Sequence, residues 1–130
     1  MNRSKTAVLL TLLAGCAVQT GPGVDDAIAD FIAVSELEEL RTVRMRQQFS
    51  YEEITERFIV VKSKADHYLV EFRRRCRELD EYEVTPDIRR DHNVLRSGID
   101  TIRGCIIARM FAIDEVQAQE LEQLGRAPGQ

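Results

Sequence analysis

Two neighbouring stretches near the middle of the chain are rich in apolar residues. Residues 57–62 and 67–72 are rich in β-branched and aromatic side chains, and a polar stretch separates them. This pattern is typical of two strands joined by a turn, so we predict a β-hairpin. In the second strand Tyr68, Val70 and Phe72 share one face, which we expect to be the core face.

The part of the chain before this hairpin has less regular patterns. Acidic residues precede Ile28, Phe31 and Ile32, which favours a short helix whose start matches the helix dipole. Residues 35–38 have the spacing of a capping box and indicate a further helical turn. Residues 50–53 have the composition of a connection. We therefore expect a helix, a helical turn and a loop ahead of the hairpin.

The last third of the chain predicts a strand followed by a helix. Residues 104–111 form an apolar run typical of a buried strand, and Gly125 ends the helical pattern. Asp114 precedes that pattern and has Gln117 three positions later, as in a capping box. The apolar stripe of this helix comprises Val116, Leu121 and Leu124. Together the elements predict an α+β fold: a small, mostly antiparallel β-sheet with a short N-terminal helix and a C-terminal helix.

The first sixteen residues have the three zones of a secretory leader. Arg3 and Lys5 supply positive charge, residues 7–14 are apolar, and small residues precede Cys16. Such a leader is removed from the mature protein. Its apolar zone is also shorter than the ~20 residues that a membrane-spanning helix needs. We therefore expect export across a membrane and not a permanent span.

Residues 13–16, Leu-Ala-Gly-Cys, resemble the lipobox of bacterial lipoproteins. The resemblance implies that Cys16 accepts a diacylglycerol on its thiolate and becomes the acylated first residue. Two or three acyl chains hold a protein firmly on a membrane. Ala17, where an Asp is usual in lipoproteins of the inner membrane, indicates by the same resemblance the outer membrane, facing the periplasm. The alternative is an ordinary secreted protein in which Cys16 is incidental.

The chain length suits a single domain behind this leader. We expect a signal peptide over residues 1–15, followed by the lipidated cysteine and a flexible tether over residues 16–23. A single periplasmic domain then covers residues 24–125, and residues 126–130 form a disordered tail.

Cys76 and Cys105 are the cysteines of the predicted domain. In an oxidising periplasm such a pair favours a disulfide. The bond would close about 29 residues and disfavour the unfolded chain by about 3.5 kcal/mol. The alternative is a redox pair or half of a metal site. However, the chain has no C-x-x-C, and neither His67 nor His92 stands at zinc-ligand spacing from a cysteine, so we expect no metal and no cofactor.

The densest basic run is Arg-Arg-Arg-Cys-Arg at residues 73–77. Its guanidinium groups suit phosphate or another anion, because they pair bidentately with such oxygens. The candidate anion-binding residues are Arg73, Arg74, Arg75 and Arg77. The alternative is a solvated strand end paired with the nearby acids Glu71, Glu78, Asp80 and Glu81. The formal net charge of −4 argues against nucleic-acid binding, which needs a net basic face.

Several short motifs of the domain resemble one known family. They are residues 68–72 (Tyr-Leu-Val-Glu-Phe), 76–79 (Cys-Arg-Glu-Leu), 95–102 and 104–107 (Gly-Cys-Ile-Ile). The chain is similar over about residues 30–113 to small lipoproteins and secreted proteins of Gram-negative bacteria that share a domain of unknown function. The resemblance implies a disulfide-bearing periplasmic domain, with no activity to transfer. Many members have further cysteines near the positions of Asp30 and Ser97; the absence of both here fits their being partners, which leaves Cys76 for Cys105.

No catalytic constellation can be read from the chain. Asp91 and His92 are adjacent, and adjacent residues seldom make the carboxylate–imidazole contact of a triad. No nucleophile elbow is present, and His67 is expected at a strand edge. The acid pairs at residues 25–26, 38–39 and 52–53 are expected to be solvated charge.

The sequence therefore predicts a membrane-anchored, non-enzymatic interaction or structural module. Its partners would be the membrane, through the lipid anchor, and an envelope protein or a cell-wall component. The alternative is a binding domain for a small or anionic ligand, using the arginines of residues 73–77 together with Arg89 and Arg90.

Overall fold

A computed structural model describes residues 23–45, 49–77, 88–89 and 94–126 of the chain. It confirms the predicted α+β class, with a mostly antiparallel sheet, an N-terminal helix and a C-terminal helix. In chain order the elements are α1 (Val24–Val34), β1 (Glu39–Leu40), β2 (Thr42–Arg44), β3 (Phe49–Glu53), β4 (Phe58–Ser63), β5 (Asp66–Phe72), β6 (Ile88–Arg89), β7 (Val94–Arg96), β8 (Thr101–Ile102), β9 (Cys105–Ile113) and α2 (Glu115–Gly125).

The main sheet of the described residues has seven strands: six in the order β3-β4-β5-β9-β8-β6, and β1, which pairs with β9 beside this path. Every pairing in it is antiparallel. The long strand β9 is central, because β5 pairs along one edge of it. The other edge is shared by β8 at Cys105 and by β1 at Phe111. Strands β2 and β7 form a separate two-stranded sheet.

Strands β4 and β5 form the predicted hairpin. Ser63 pairs with Asp66 across a turn of two residues, and Lys64 in that turn has a φ of 55°. The favoured two-residue hairpin turns place residues at positive φ, because the twist of such a turn matches the twist of the strands. We call this end of the sheet the hairpin end.

Both faces of the main sheet are covered. On one face, Val70 and Phe72 pack with Leu95 of the small β2–β7 sheet. On the other face, Leu69 packs with residues of both helices and is completely buried. The prediction that the Tyr68 side of β5 faces the core is therefore incomplete, since the Leu69 side is also core. The helix-side cluster includes Ile28, Phe58, Val60, Leu69, Phe111 and Leu121.

Two stretches differ from the sequence predictions. Residues 50–53 lie in β3 and not in a connection, and Tyr51 pairs there with Val61. Residues 35–38 do not begin a further helical turn, because Glu36 adopts a φ of 48° and β1 follows at once. β3 is an edge strand in which no residue is fully buried. Its apolar positions are Phe49 and Tyr51, which pack half-buried against the core, so its apolar alternation is too short to predict a strand.

Helix α2 begins with the predicted capping box. The Asp114 carboxylate accepts a hydrogen bond of 2.7 Å from the Gln117 backbone N–H, and the Gln117 side chain accepts one of 3.0 Å from the Asp114 N–H. The predicted apolar stripe is wrong at Val116, which is 63% exposed. Ala118 and Leu121 are the buried residues of the helix, so the face that packs on the sheet includes Ala118 and not Val116.

Cys76 and Cys105 form a disulfide, with an Sγ–Sγ distance of 2.10 Å and a Cα–Cα distance of 5.8 Å. The bond joins the segment after β5 to the first residue of β9. Both cysteines are completely buried, in the same cluster as Phe72 and Ile107. The bond therefore ties the end of one central strand to the start of the other inside an apolar core.

We expect the double substitution Cys76→Ala/Cys105→Ala to lower the free energy of unfolding by about 3–4 kcal/mol, because the reduced chain regains loop entropy. Urea titration of the oxidised protein and of the variant measures this difference. Reducing agent should destabilise the parent protein by a similar amount and leave the variant unchanged. Equal denaturation midpoints for parent and variant would contradict the structural role of the bond.

Candidate functional site

The arginine run follows directly after β5. Arg73, Arg74, Arg75 and Arg77 are all exposed, whereas Cys76 between them is buried. Backbone hydrogen bonds fix the segment: the Arg73 N–H donates to the Ile106 carbonyl at 2.9 Å, and the Cys76 N–H donates to the Glu56 carbonyl at 2.7 Å. Four guanidinium groups are thus presented on a segment that the disulfide and the sheet hold in place.

Glu71, one of the acids that the sequence offered as counter-ions of this run, pairs with arginines from other strands. Its buried carboxylate lies between two other arginines: Arg109 Nε donates to Glu71 Oε2 at 2.5 Å, and Arg57 Nε is 3.7 Å from Oε1. The Arg109 guanidinium also stacks 5.2 Å from the centre of the Phe111 ring. The other acids named as counter-ions, Glu78, Asp80 and Glu81, lie outside the described residues.

These arginines gather at the end of the sheet opposite the hairpin turn, where β4 and β9 begin and β5 ends. We call this region the arginine end; it comprises Arg57, Arg73, Arg74, Arg75, Arg77 and Arg109. The sequence alone could not show that Arg57 and Arg109 join the run, because they come from other strands.

The start of α1 lies beside the arginine run. A surface cleft of about 260 Å³ is lined by Gly23, Val24 and Asp25 of the α1 start, by Thr55 and Glu56, and by Arg75. The Thr55 hydroxyl donates to Asp25 Oδ1 at 2.6 Å. Thr55 Oγ1 in turn accepts hydrogen bonds from the backbone N–H groups of Arg57 and Phe58 at 3.1 Å each. The first described residue, Gly23, is therefore at the arginine end. The cleft there contains one cation, Arg75, and two acidic residues, Asp25 and Glu56.

Of the other candidates from the sequence, His67 and Arg89 are in the described part of the chain. His67 lies at the hairpin end of β5, opposite Lys62 on one side and Ile113 on the other. Cys16, Arg90, Asp91 and His92 lie outside the described residues, and Arg89 is placed in β6.

A second charged cluster, which sequence reasoning missed, links α2 to the β3–β4 pair. Lys62 Nζ lies 2.7 Å from Glu122 Oε1 and 3.7 Å from Glu52 Oε2. Arg126 Nη2 donates to Glu52 Oε1 at 2.5 Å. Arg126 was predicted to begin a disordered tail, but it caps α2 and makes this ion pair; residues 127–130 lie outside the described part. Glu52 and Arg126 are 74 residues apart, so no local pattern could reveal the contact.

The cluster shifts two pKa values. Burial acts to raise the pKa of Glu52, but the hydrogen bonds with the Glu122 and Arg126 side chains and the charges of Arg126 and Lys62 outweigh it, so this pKa is lowered. The hydrogen bond to Glu122 raises the pKa of Lys62, against the opposing effect of burial. Both groups are therefore held in their charged forms, which fits a structural role for the cluster.

Among the residues described, no group of three or more His, Cys, Asp or Glu side chains is arranged to hold a metal ion. Neither of the two described helices is long and apolar enough to cross a bilayer. No protein-family model, curated protein or solved structure matches the chain. The resemblance to the lipoprotein family therefore stays a prediction.

We expect Glu52→Gln and Lys62→Met both to lower the stability of the fold near neutral pH. The effect of Glu52→Gln should fade in acid, and that of Lys62→Met should fade in alkali. The lowered pKa of Glu52 stabilises the fold above 4.5, and this contribution is lost as the pH falls through the folded-state pKa. The raised pKa of Lys62 stabilises the fold below 10.5, and that contribution is lost as the pH rises through the folded-state pKa. Near neutral pH each substitution should cost about 0.5–1 kcal/mol, because the pairs are partly exposed.

Thermal unfolding followed by circular dichroism, from acid to alkaline pH, measures both effects. Lys64→Met is the matched control, since it removes a lysine charge from the exposed hairpin turn. A Glu52→Gln difference that persists unchanged in strong acid would contradict the assignment.

Proposed function

We propose that this chain is a lipid-anchored, non-enzymatic interaction or structural domain of the bacterial cell envelope. Cys16 carries the acyl chains and the domain faces the periplasm at the outer membrane. The observation that carries the proposal is the buried Cys76–Cys105 disulfide. Disulfides form and persist outside the reducing cytosol and are frequent in small exported domains. The bond therefore supports export, which the leader and the lipobox resemblance suggest independently.

The same bond supports a non-enzymatic role, because it occupies both cysteines of the domain. A disulfide-bonded sulfur offers no thiolate to attack a substrate or ligate a metal. His67 is held at the hairpin end beside Lys62, far along β5 from the arginine run. The charged side chains of the arginine run are instead exposed on the surface, which suits binding to an envelope protein or a cell-wall component.

The second candidate is a periplasmic domain that binds a small or anionic ligand. The observation that favours it is the exposure of four closely spaced arginines on a fixed segment. Guanidinium groups in such an array suit phosphate and carboxylate oxygens. Capture from envelope extracts separates the two candidates. Binding that weakens with salt and with Arg73→Glu/Arg75→Glu supports this second one, whereas salt-resistant capture of one envelope protein supports the first.

We expect the chain recovered from membranes to begin at an acylated Cys16. Cys16→Ser should abolish acylation and move the domain from the membrane fraction to the soluble fraction, because the acyl chains supply the attachment. Intact-protein mass spectrometry and fractionation measure the two effects. Ala17→Ser is the matched control, since it changes the neighbouring small residue and leaves the thiol in place.

The control variant should be processed and retained like the parent chain. A membrane fraction that holds Cys16→Ser as tightly as the parent would refute the anchor. So would a purified chain that still carries residues 1–15 and no acyl group.

A further inference from the structure

We infer that the arginine end docks on anionic phospholipid headgroups of the membrane that holds the anchor. This inference rests on the proposed attachment through Cys16. It goes further by naming the partner of the arginine run and the orientation of the domain. The inference is based on the position of Gly23, the first described residue, which lines the same cleft as Arg75.

The distance from the anchor to the arginine end is short. Cys16 lies seven positions before Gly23, and seven residue steps span at most about 25 Å even when fully extended. The arginine end is therefore the part of the domain that the tether keeps nearest to the headgroups. Such tethering gives an effective concentration on the order of millimolar, so individually weak contacts suffice.

The chemistry of this end suits an anionic bilayer surface. Each basic residue near such a surface favours the bound form by roughly fivefold. The buried acid Glu71 pairs with Arg57 and Arg109, which come from other parts of the chain than the run. The cleft also contains two acidic residues, Asp25 at the start of α1 and Glu56 before β4, and Asp25 accepts a hydrogen bond from Thr55.

An apolar side chain lies next to the run. Ile106 is 37% exposed, and its carbonyl accepts the Arg73 N–H. Arginines beside an exposed aliphatic group are suited to the boundary between headgroups and acyl chains, where the charges meet phosphates and the side chain leaves water. Docking in this way directs the β4–β5 turn away from the membrane. The hairpin end is then the surface that is open to other envelope components.

The test uses the acylated full-length product, with its acyl mass verified before use. It is reconstituted into vesicles of phosphatidylcholine alone, or of phosphatidylcholine mixed with phosphatidylglycerol. Arginine-selective labelling with phenylglyoxal, read by peptide mass spectrometry, then reports the exposure of each arginine. Arg44, on the separate β2–β7 sheet, is the internal reference. A parallel sample contains neutral vesicles and free inorganic phosphate.

We expect the peptides with Arg73, Arg75 and Arg77 to label at least severalfold more slowly on phosphatidylglycerol vesicles than on neutral ones. Labelling of Arg44 should be unchanged, and high salt should restore the faster rate. Arg73→Glu/Arg75→Glu should remove the protection of Arg77. The control charge reversal Lys64→Glu at the hairpin turn, which leaves the Arg44 reference in place, should retain it.

Each other outcome overturns the docking. Equal labelling on both kinds of vesicle, with the acyl mass present, refutes it and leaves the anchor standing. Protection by inorganic phosphate on neutral vesicles assigns the arginines to a free anion. Protection that survives Arg73→Glu/Arg75→Glu excludes these side chains as the contact. A chain recovered without acyl groups removes both the anchor and the docking.

Discussion

The pairing of β5 with β9, closed at one end by the Cys76–Cys105 bond, is the constraint on which the rest of the structure depends. Because both strands are central, their side chains point alternately to two apolar faces, as Leu69 and Val70 do. Burying an aliphatic side chain of this size stabilises a fold by roughly 1.5–3 kcal/mol, so each face needs a cover. The helices supply one cover and the small β2–β7 sheet supplies the other.

Local patterns were sufficient wherever a feature is encoded by residues that are close in sequence. The hairpin has two β-branched strands and a short polar turn, and the structure places both strands within a residue or two of the prediction. The capping box at Asp114 depends on a spacing of three residues, and it is present. The disulfide was also predictable, because Cys76 and Cys105 are the cysteines of the domain and the leader implies an oxidising compartment.

Features that depend on distant residues could not be predicted. The edge strand β3 has few apolar residues, and its pairing with β4 decides its structure. Val116 follows a helical repeat, yet α2 is rotated so that Ala118 and Leu121 meet the sheet. The candidate site shows the same limit. The four arginines of residues 73–77 were visible in the sequence. Their neighbours could not be predicted, because Arg57, Arg109 and the start of α1 come from other parts of the chain.

Export and anchoring by acyl chains together predict how many cysteine thiols of this chain can react. Of the three cysteines, Cys16 would be blocked as a thioether, and Cys76 and Cys105 are joined to each other. The most direct measurement is to quench cells in acid, denature the chain and count the thiols that react with a heavy maleimide, before and after reduction. We expect none before reduction and two after it. Three reactive thiols in the unreduced sample would contradict both export and anchoring.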